Sequence, residues 1–148
     1  MEIDRDAPAT ASSDVDVAAP PEVAWDVIAD FERWPEWNPD VKSLSIEGPV
    51  APGTTFKWKS GPLSITSNLQ EVERPRTIGW TGNAFGIRAV HVWRFEPTEG
   101  GTRVHTEESW SGPIPRLLPG RMQKTLQQSF DDEMPHLKAE AERRAGAA

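Results

Sequence analysis

The chain has 148 residues, with 16 Lys and Arg against 23 Asp and Glu, a formal charge of −7, seven Trp, three His, no Cys and no Tyr. A single domain of that length buries about two-thirds of the surface its unfolded chain exposes, so it can hold a core without covalent staples. Disulfides, thiolate nucleophiles, cysteine-ligated zinc and phenolic acid-base chemistry are excluded, and the acidic balance speaks against a surface for nucleic acid.

Residues 1–11, MEIDRDAPATA, are acidic and polar without an apolar h-region, so they read as a short disordered arm and not as a secretory leader. No later stretch approaches the roughly 18 consecutive apolar residues of a membrane helix, and a cytoplasmic protein with no membrane partner is the expectation. One domain is expected over residues 12–145. In SSDVDVAAP, Val15 and Val17 alternate with Asp14 and Asp16, which is the period of a half-buried strand. Pro20 and Pro21 end it. In PPEVAWDVIADFERW, Ala24, Trp25, Ile28 and Phe31 recur at helical spacing behind prolines that a first turn tolerates, and RWPEWNPD leaves room for only another turn or two.

Six strand-like runs follow, VKSLSIE, TTFKWKS, LSITSNLQEVE, RTIGWTG, IRAVHVWRFE and GTRVHTEESWS, punctuated by short turn segments such as SGP, ERP and PTEGG. With the first strand they make seven, joined mostly by tight turns, so the sheet is expected to be antiparallel. From Ile114 to Ala145, Leu118, Met122, Leu126, Phe130, Met134, Leu137 and Ala141 fall at intervals of three and four, which predicts a long amphipathic helix with Pro119-Gly120 marking its start and a kink at Pro135.

The stretch PPEVAWDVIADFERWPEWNPDV, then GPVAPGTTFKW, then VHVWRFEPTEGGTRVHTEESWSG, resembles the polyketide cyclase/dehydrase branch of the SRPBCC superfamily, which also holds START-type lipid carriers and the birch-pollen allergen family. The resemblance implies an α+β helix-grip fold. A curved seven-stranded antiparallel sheet would wrap around the long C-terminal helix, with two short helices between strands one and two and a hydrophobic cavity between sheet and helix.

Strand alternation selects the residues that face such a cavity. Phe56 and Trp58 share a face opposite Lys57 and Lys59. Ile65, Ser67 and Leu69 turn inward with Leu63, as do Ile78 and Trp80. In IRAVHVWRF the inward set is Ile87, Ala89, His91, Trp93 and Phe95, since Arg88 and Arg94 mark the other as outer. Val104, Thr106, Glu108 and Trp110 follow from the last strand. The expected ligand contacts are Phe56, Trp58, Ile65, Ser67, Leu69, Ile78, Trp80, Trp93, Thr106 and Trp110, with Met122, Leu126 and Phe130 from the helix. A sheet bent around one helix is hard to fill, so a pocket of roughly 300 to 1,000 Å³ is expected. Trp34 and Trp37, flanked by Pro35 and Pro39, read as anchors of the turn between helix and sheet.

Only His91 and Glu108 among the inward residues can titrate. A hairpin through PTEGG that sets Phe95 opposite Val104 also sets Trp93 opposite Thr106 and His91 opposite Glu108, placing an imidazole beside a carboxyl in an apolar pocket. Such a pair is either a proton-transfer site or a satisfied pair that fixes the hairpin register. Asp131, Asp132 and Glu133 read as a solvated helix face. No Gly-rich phosphate loop or HExxH spacing occurs, so neither a cofactor nor a metal is expected. The leading function is binding of a hydrophobic small molecule, aromatic, polycyclic, lipid or polyketide-like. The alternatives are a polyketide cyclase, aromatase or dehydratase using His91 and Glu108, and an interaction module resembling the chaperone-activating members of the fold.

Overall fold

The alternation that builds the first strand begins upstream of Ser12. In the computed structural model, which describes residues 1–147, strand β1 spans Ala9–Val17, with Ala9, Ala11 and Val17 buried and the residues between them more open. The residues before it are not the disordered arm expected over 1–11. Ile3 is buried, the Asp4 amide donates to Ser109 Oγ at 3.0 Å, and Arg94 Nη2 donates to the Met1 carbonyl at 3.0 Å. Glu107 draws this segment down onto the outer face of the sheet, with Arg94 Nη1 at 2.6 Å and Arg5 Nη1 at 3.2 Å.

Helix α1 spans Pro21–Ala29 and buries Ala24, Trp25, Val27 and Ile28; a 3-10 turn over Phe31–Arg33 leads into α2, Trp34–Trp37. These are the two short helices expected between the first two strands. Strands β2 (Val41–Ile46), β3 (Thr55–Ser60), β4 (Leu63–Glu73), β5 (Thr77–Ala84), β6 (Ile87–Thr98) and β7 (Gly101–Ser111) then form an antiparallel meander. The sheet order is β1-β7-β6-β5-β4-β3-β2, so β1 closes the far edge against β7. The β6/β7 register sets Phe95 opposite Val104, Trp93 opposite Thr106 and His91 opposite Glu108.

The long helix begins at Pro119, as Pro119-Gly120 marks in the sequence, and a short helix precedes it within the same stripe. Helix α3 covers Pro113–Leu117 and α4 covers Pro119–Ala147. Between them Leu118 leaves helical space, at φ −128° and ψ 56°, because the ring of a following proline crowds the helical conformation of the residue before it. Helix α4 continues through Pro135, whose missing N–H leaves the carbonyl four residues back without its helical donor. That residue is the exposed Asp131, where water can serve.

The core lies between the inner face of the sheet and helices α1 and α4. Phe31 sits 4.5 Å from Phe56 and 5.6 Å from Trp80, centroid to centroid, and Trp34 lies 5.1 Å from Phe31. Two indole N–H groups in this packing are satisfied by backbone, Trp34 by the Ile28 carbonyl at 2.9 Å and Trp25 by the Thr77 carbonyl at 2.9 Å. Trp34 therefore does more than hold a turn; it plugs the core. On the β1 side, Ala11 packs against Leu126 and Phe130, where a small residue lets the helix come close to the strand.

The stripe divides into a buried end and an open end. Leu137→Ala empties a fully buried position and should cost about 2 to 5 kcal/mol in urea unfolding followed by Trp fluorescence, whereas Leu117→Ala, at an exposed position, should stay within about 0.5 kcal/mol of wild type. Equal losses in both would contradict this division.

Candidate ligand-binding site

Rows of side chains across the inner face change size from one end of the sheet to the other. One row runs Ile78, Trp93 and Thr106, and the next runs Leu69, Trp80, His91 and Glu108. The third holds Ser67, Gly82, Ala89 and Trp110, and beyond it lie Ala84 and Ile87. Large residues close the first two rows against the helices. Beyond them the backbone is too thinly covered to fill the gap to α4, and a cleft of about 840 Å³ opens. Gly82 marks how narrow the margin is, since a Cβ there would sit 3.1 Å from Ser67 Oγ and 3.5 Å from Ile65 Cγ2.

Trp58, Leu63 and Ile65 form one wall of the cleft; Gly82, Ala84, Ile87, Ala89 and Trp110 form its back. Ile114 from α3 and Met122, Thr125 and Ser129 from α4 face them, while Phe85, Arg121 and Lys124 also line the cleft. Of the residues expected to contact a ligand, Trp58, Ile65, Trp110 and Met122 line this space, together with Glu108. Phe56, Ser67, Leu69, Ile78, Trp80, Trp93, Thr106, Leu126 and Phe130 face inward as expected but are almost wholly buried, and they do not reach the cleft. Counting large apolar side chains finds the core. An opening is made where the inward residues are small, and Gly82, Ala84 and Ala89 were the signal to read.

At the inner end of the cleft the polar groups form one chain of contacts. The Thr106 hydroxyl donates to the Val92 carbonyl at 3.2 Å, so its oxygen accepts from His91 Nε2 at 2.8 Å. That network assigns the Nε2–H tautomer and leaves the Nδ1 lone pair facing Glu108 Oε1 at 3.3 Å. Trp110 Nε1 donates to Glu108 Oε2 at 2.8 Å. Burial holds the His91 imidazole neutral, well below its ordinary titration range, and pushes the Glu108 carboxyl up to about 7 against the opposing pull of the Trp110 hydrogen bond. A protonated Glu108 meets the geometry, since its O–H has the Nδ1 lone pair as acceptor. Glu108 is the member of this pair that borders the cleft; His91 stands behind it.

Glu133 belongs to the same environment and was missed. Asp131 and Asp132 are exposed as expected, but Glu133 turns toward the sheet and accepts from Asn38 Nδ2 at 2.9 Å. Burial and the neighbouring charges of Glu108 and Asp40 push it up to about 8. The signal was its place in α4, three residues after Phe130 and four before Leu137, on the side of the helix those residues bury. Among the described residues no Lys or Arg lies within ion-pair distance of either carboxyl, and no group of three His, Asp or Glu is placed to hold a metal ion.

A curved antiparallel sheet closed over a C-terminal helix, with an apolar cleft between them, is the architecture of helix-grip ligand-binding proteins. The chain belongs to the polyketide cyclase/dehydrase and lipid transport family, whose model matches residues 8–142. It is 29% identical over 112 residues to a putative polyketide cyclase of Streptomyces cyaneus, covering 67% of this chain and 70% of that one. In fold it is similar to a hypothetical protein of Helicobacter pylori, with a TM-score of 0.81 at 16% identity over 93% of this chain and 90% of that one. It also resembles the di-domain ARO/CYC protein StfQ of the steffimycin biosynthetic pathway, with a TM-score of 0.78 at 19% identity, covering 93% of this chain and 52% of the two-domain chain.

The two raised carboxyls make stability fall as pH rises. The folded state keeps protons that an unfolded carboxylate releases near its ordinary value of 4.5, so the loss runs up to about pH 8. Neutral burial of His91 acts in the opposite sense below its unfolded value of 6.5, which leaves pH 6.5 to 8 as the clean window. Across it the wild type should lose roughly 2 kcal/mol in urea unfolding, and the Glu108→Gln, Glu133→Gln double variant should show a flat profile. A wild-type profile as flat as the variant's would show that both carboxyls are ionised throughout.

Proposed function

We propose that the cleft binds an apolar, ring-bearing small molecule of aromatic or polycyclic, polyketide-like form, with a hydrogen-bond acceptor directed at Glu108. The observation that carries this is the opening over Gly82, Ala84 and Ala89, lined also by Trp58, Ile65, Trp110 and Met122. Indole faces and a thioether suit flat rings, because their contact area is large and Met adapts its shape to what it touches. When Glu108 is protonated, its O–H, otherwise held by His91 Nδ1, is the donor that turns to a carbonyl oxygen of the ligand. The match to a family described by polyketide cyclisation, dehydration and lipid transport supports the same ligand class.

A second reading, catalysis, is favoured by the contact chain from Trp110 through Glu108 and His91 to Thr106. A carboxyl poised near neutrality can give a proton to a ligand oxygen and take it back. Glu108 is then the catalytic residue and His91 a positioning residue, its Nδ1 lone pair fixing where the carboxyl proton sits. The carboxylate left after transfer keeps the Trp110 N–H as its donor.

Ala89→Leu places a side chain in the opening and should weaken binding of a polycyclic ketone, read by Trp fluorescence titration, by about tenfold or more with little change in melting temperature. An unchanged Kd would remove the cleft from the function. Glu108→Gln should keep affinity within a few-fold and abolish turnover of a poly-keto chain if the protein is an enzyme; turnover that survives the change would exclude Glu108 as its proton donor.

A further inference from the structure

The open end of the cleft carries apolar side chains that nothing covers. Phe85, at the tip of the β5–β6 turn, is 89% exposed, and Leu117 and Leu118, at the joint between α3 and α4, are 75% and 45% exposed. The two tips are fastened together. The Ile114 amide donates to the Gly86 carbonyl at 3.1 Å, and Gly86, at φ +71°, has Ile114 so close that a Cβ would lie 2.4 Å from its Cγ1.

The charge around these tips is opposite to that of the whole. Residues 112–130 contain Arg116, Arg121 and Lys124 and no Asp or Glu, in a chain of net charge −7. All three cations are exposed, and among the described residues none lies within ion-pair distance of a carboxylate, whereas Arg5, Arg74, Arg103 and Lys138 all do.

We propose that this end of the molecule docks on an anionic lipid bilayer, with Phe85 and Leu117 entering the boundary between headgroups and acyl chains and Arg116, Arg121 and Lys124 meeting lipid phosphates. Docking of this kind is lateral and needs no spanning segment; no helix among the described residues is long and apolar enough to cross a membrane. A second copy docked patch to patch does not fit, because it would set like charges against each other. An acidic protein matches the charge but not the shape, since a specific protein interface packs its core to interior density, and a Phe side chain standing almost free on a turn accepts a deformable surface more readily. The mouth of the cleft would then open onto the lipid.

The test is co-sedimentation of the full chain with phosphatidylcholine vesicles, with and without about one-third phosphatidylglycerol. Binding to the anionic vesicles, weakened by salt, is expected, with little binding to the neutral ones. Loss of one cation at the surface is expected to lower partitioning about fivefold, so Leu117→Ser combined with Arg116→Gln should lower it about tenfold or more. Neither residue lines the cleft, so ketone affinity should be unchanged in this variant, and Arg76→Gln, on the turn between β4 and β5, should bind vesicles as wild type does. No partitioning, equal partitioning to neutral vesicles, or partitioning untouched by the double variant would overturn the proposal, as would capture by an acidic protein without vesicle binding. A failure here leaves the ligand titration standing, and the reverse also holds.

Discussion

The cleft exists because side-chain size changes abruptly along the inner face of the sheet while the helix above it runs on. At one end, Trp80, Trp93, Phe56 and Ile78 are almost wholly buried in the core that α1 and α4 cover. One row further on, Gly82 and Ala89 stand where the neighbouring row has Trp80 and His91. Helix α4 cannot drop to close the gap, because it is held to β1 by Leu126 and Phe130 against Ala11 and to the core by Leu137. An interior that packs like an organic crystal has no means of smoothing out such a step. The step in size therefore becomes a cavity.

That same step decides the electrostatics. Glu108 and Glu133 sit at the border between the packed rows and the open one, removed from most of the solvent but given only one neutral donor each, Trp110 and Asn38. Carboxylates in such a place are costly, and the groups respond by keeping their protons. Glu107, one residue away and on the outer face, shows the contrast. Although it too is buried, Arg94 and Arg5 hold it below the ordinary carboxylate range. Adjacent carboxyls on one strand are thus shifted in opposite directions, separated by the thickness of a sheet.

Strand alternation was enough to read which side chains point inward, and a hairpin through PTEGG was enough to pair His91 with Glu108. These follow from a period of two and from the turn, both local. Core and cavity could not be told apart by the same means, because that depends on where a helix distant in sequence crosses the sheet. Large side chains drew the attention while Gly82 and Ala89, which carry no hydrophobic signal, made the opening. Composition also hid Glu133 within an acidic run, although its spacing from Phe130 and Leu137 placed it on the buried side. It hid the start of β1 as well, where Ala9 and Ala11 are apolar residues too small to stand out. The start of α4 was legible at Pro119-Gly120, whereas α3, only five residues long, carries too little periodicity to stand apart from it.

Seven Trp in one small domain allow the central claim to be read directly. Trp58 and Trp110 border the cleft, whereas Trp25, Trp80 and Trp93 are sealed in the core. Labelling with 5-fluorotryptophan and titrating a polycyclic ketone under fluorine NMR observation separates the two groups in one experiment. Saturable shifts at Trp58 and Trp110, with Trp25 and Trp93 unmoved, are the predicted result. Shifts centred on Trp93, or none at any of the seven, would contradict a ligand held in the opening between sheet and helix.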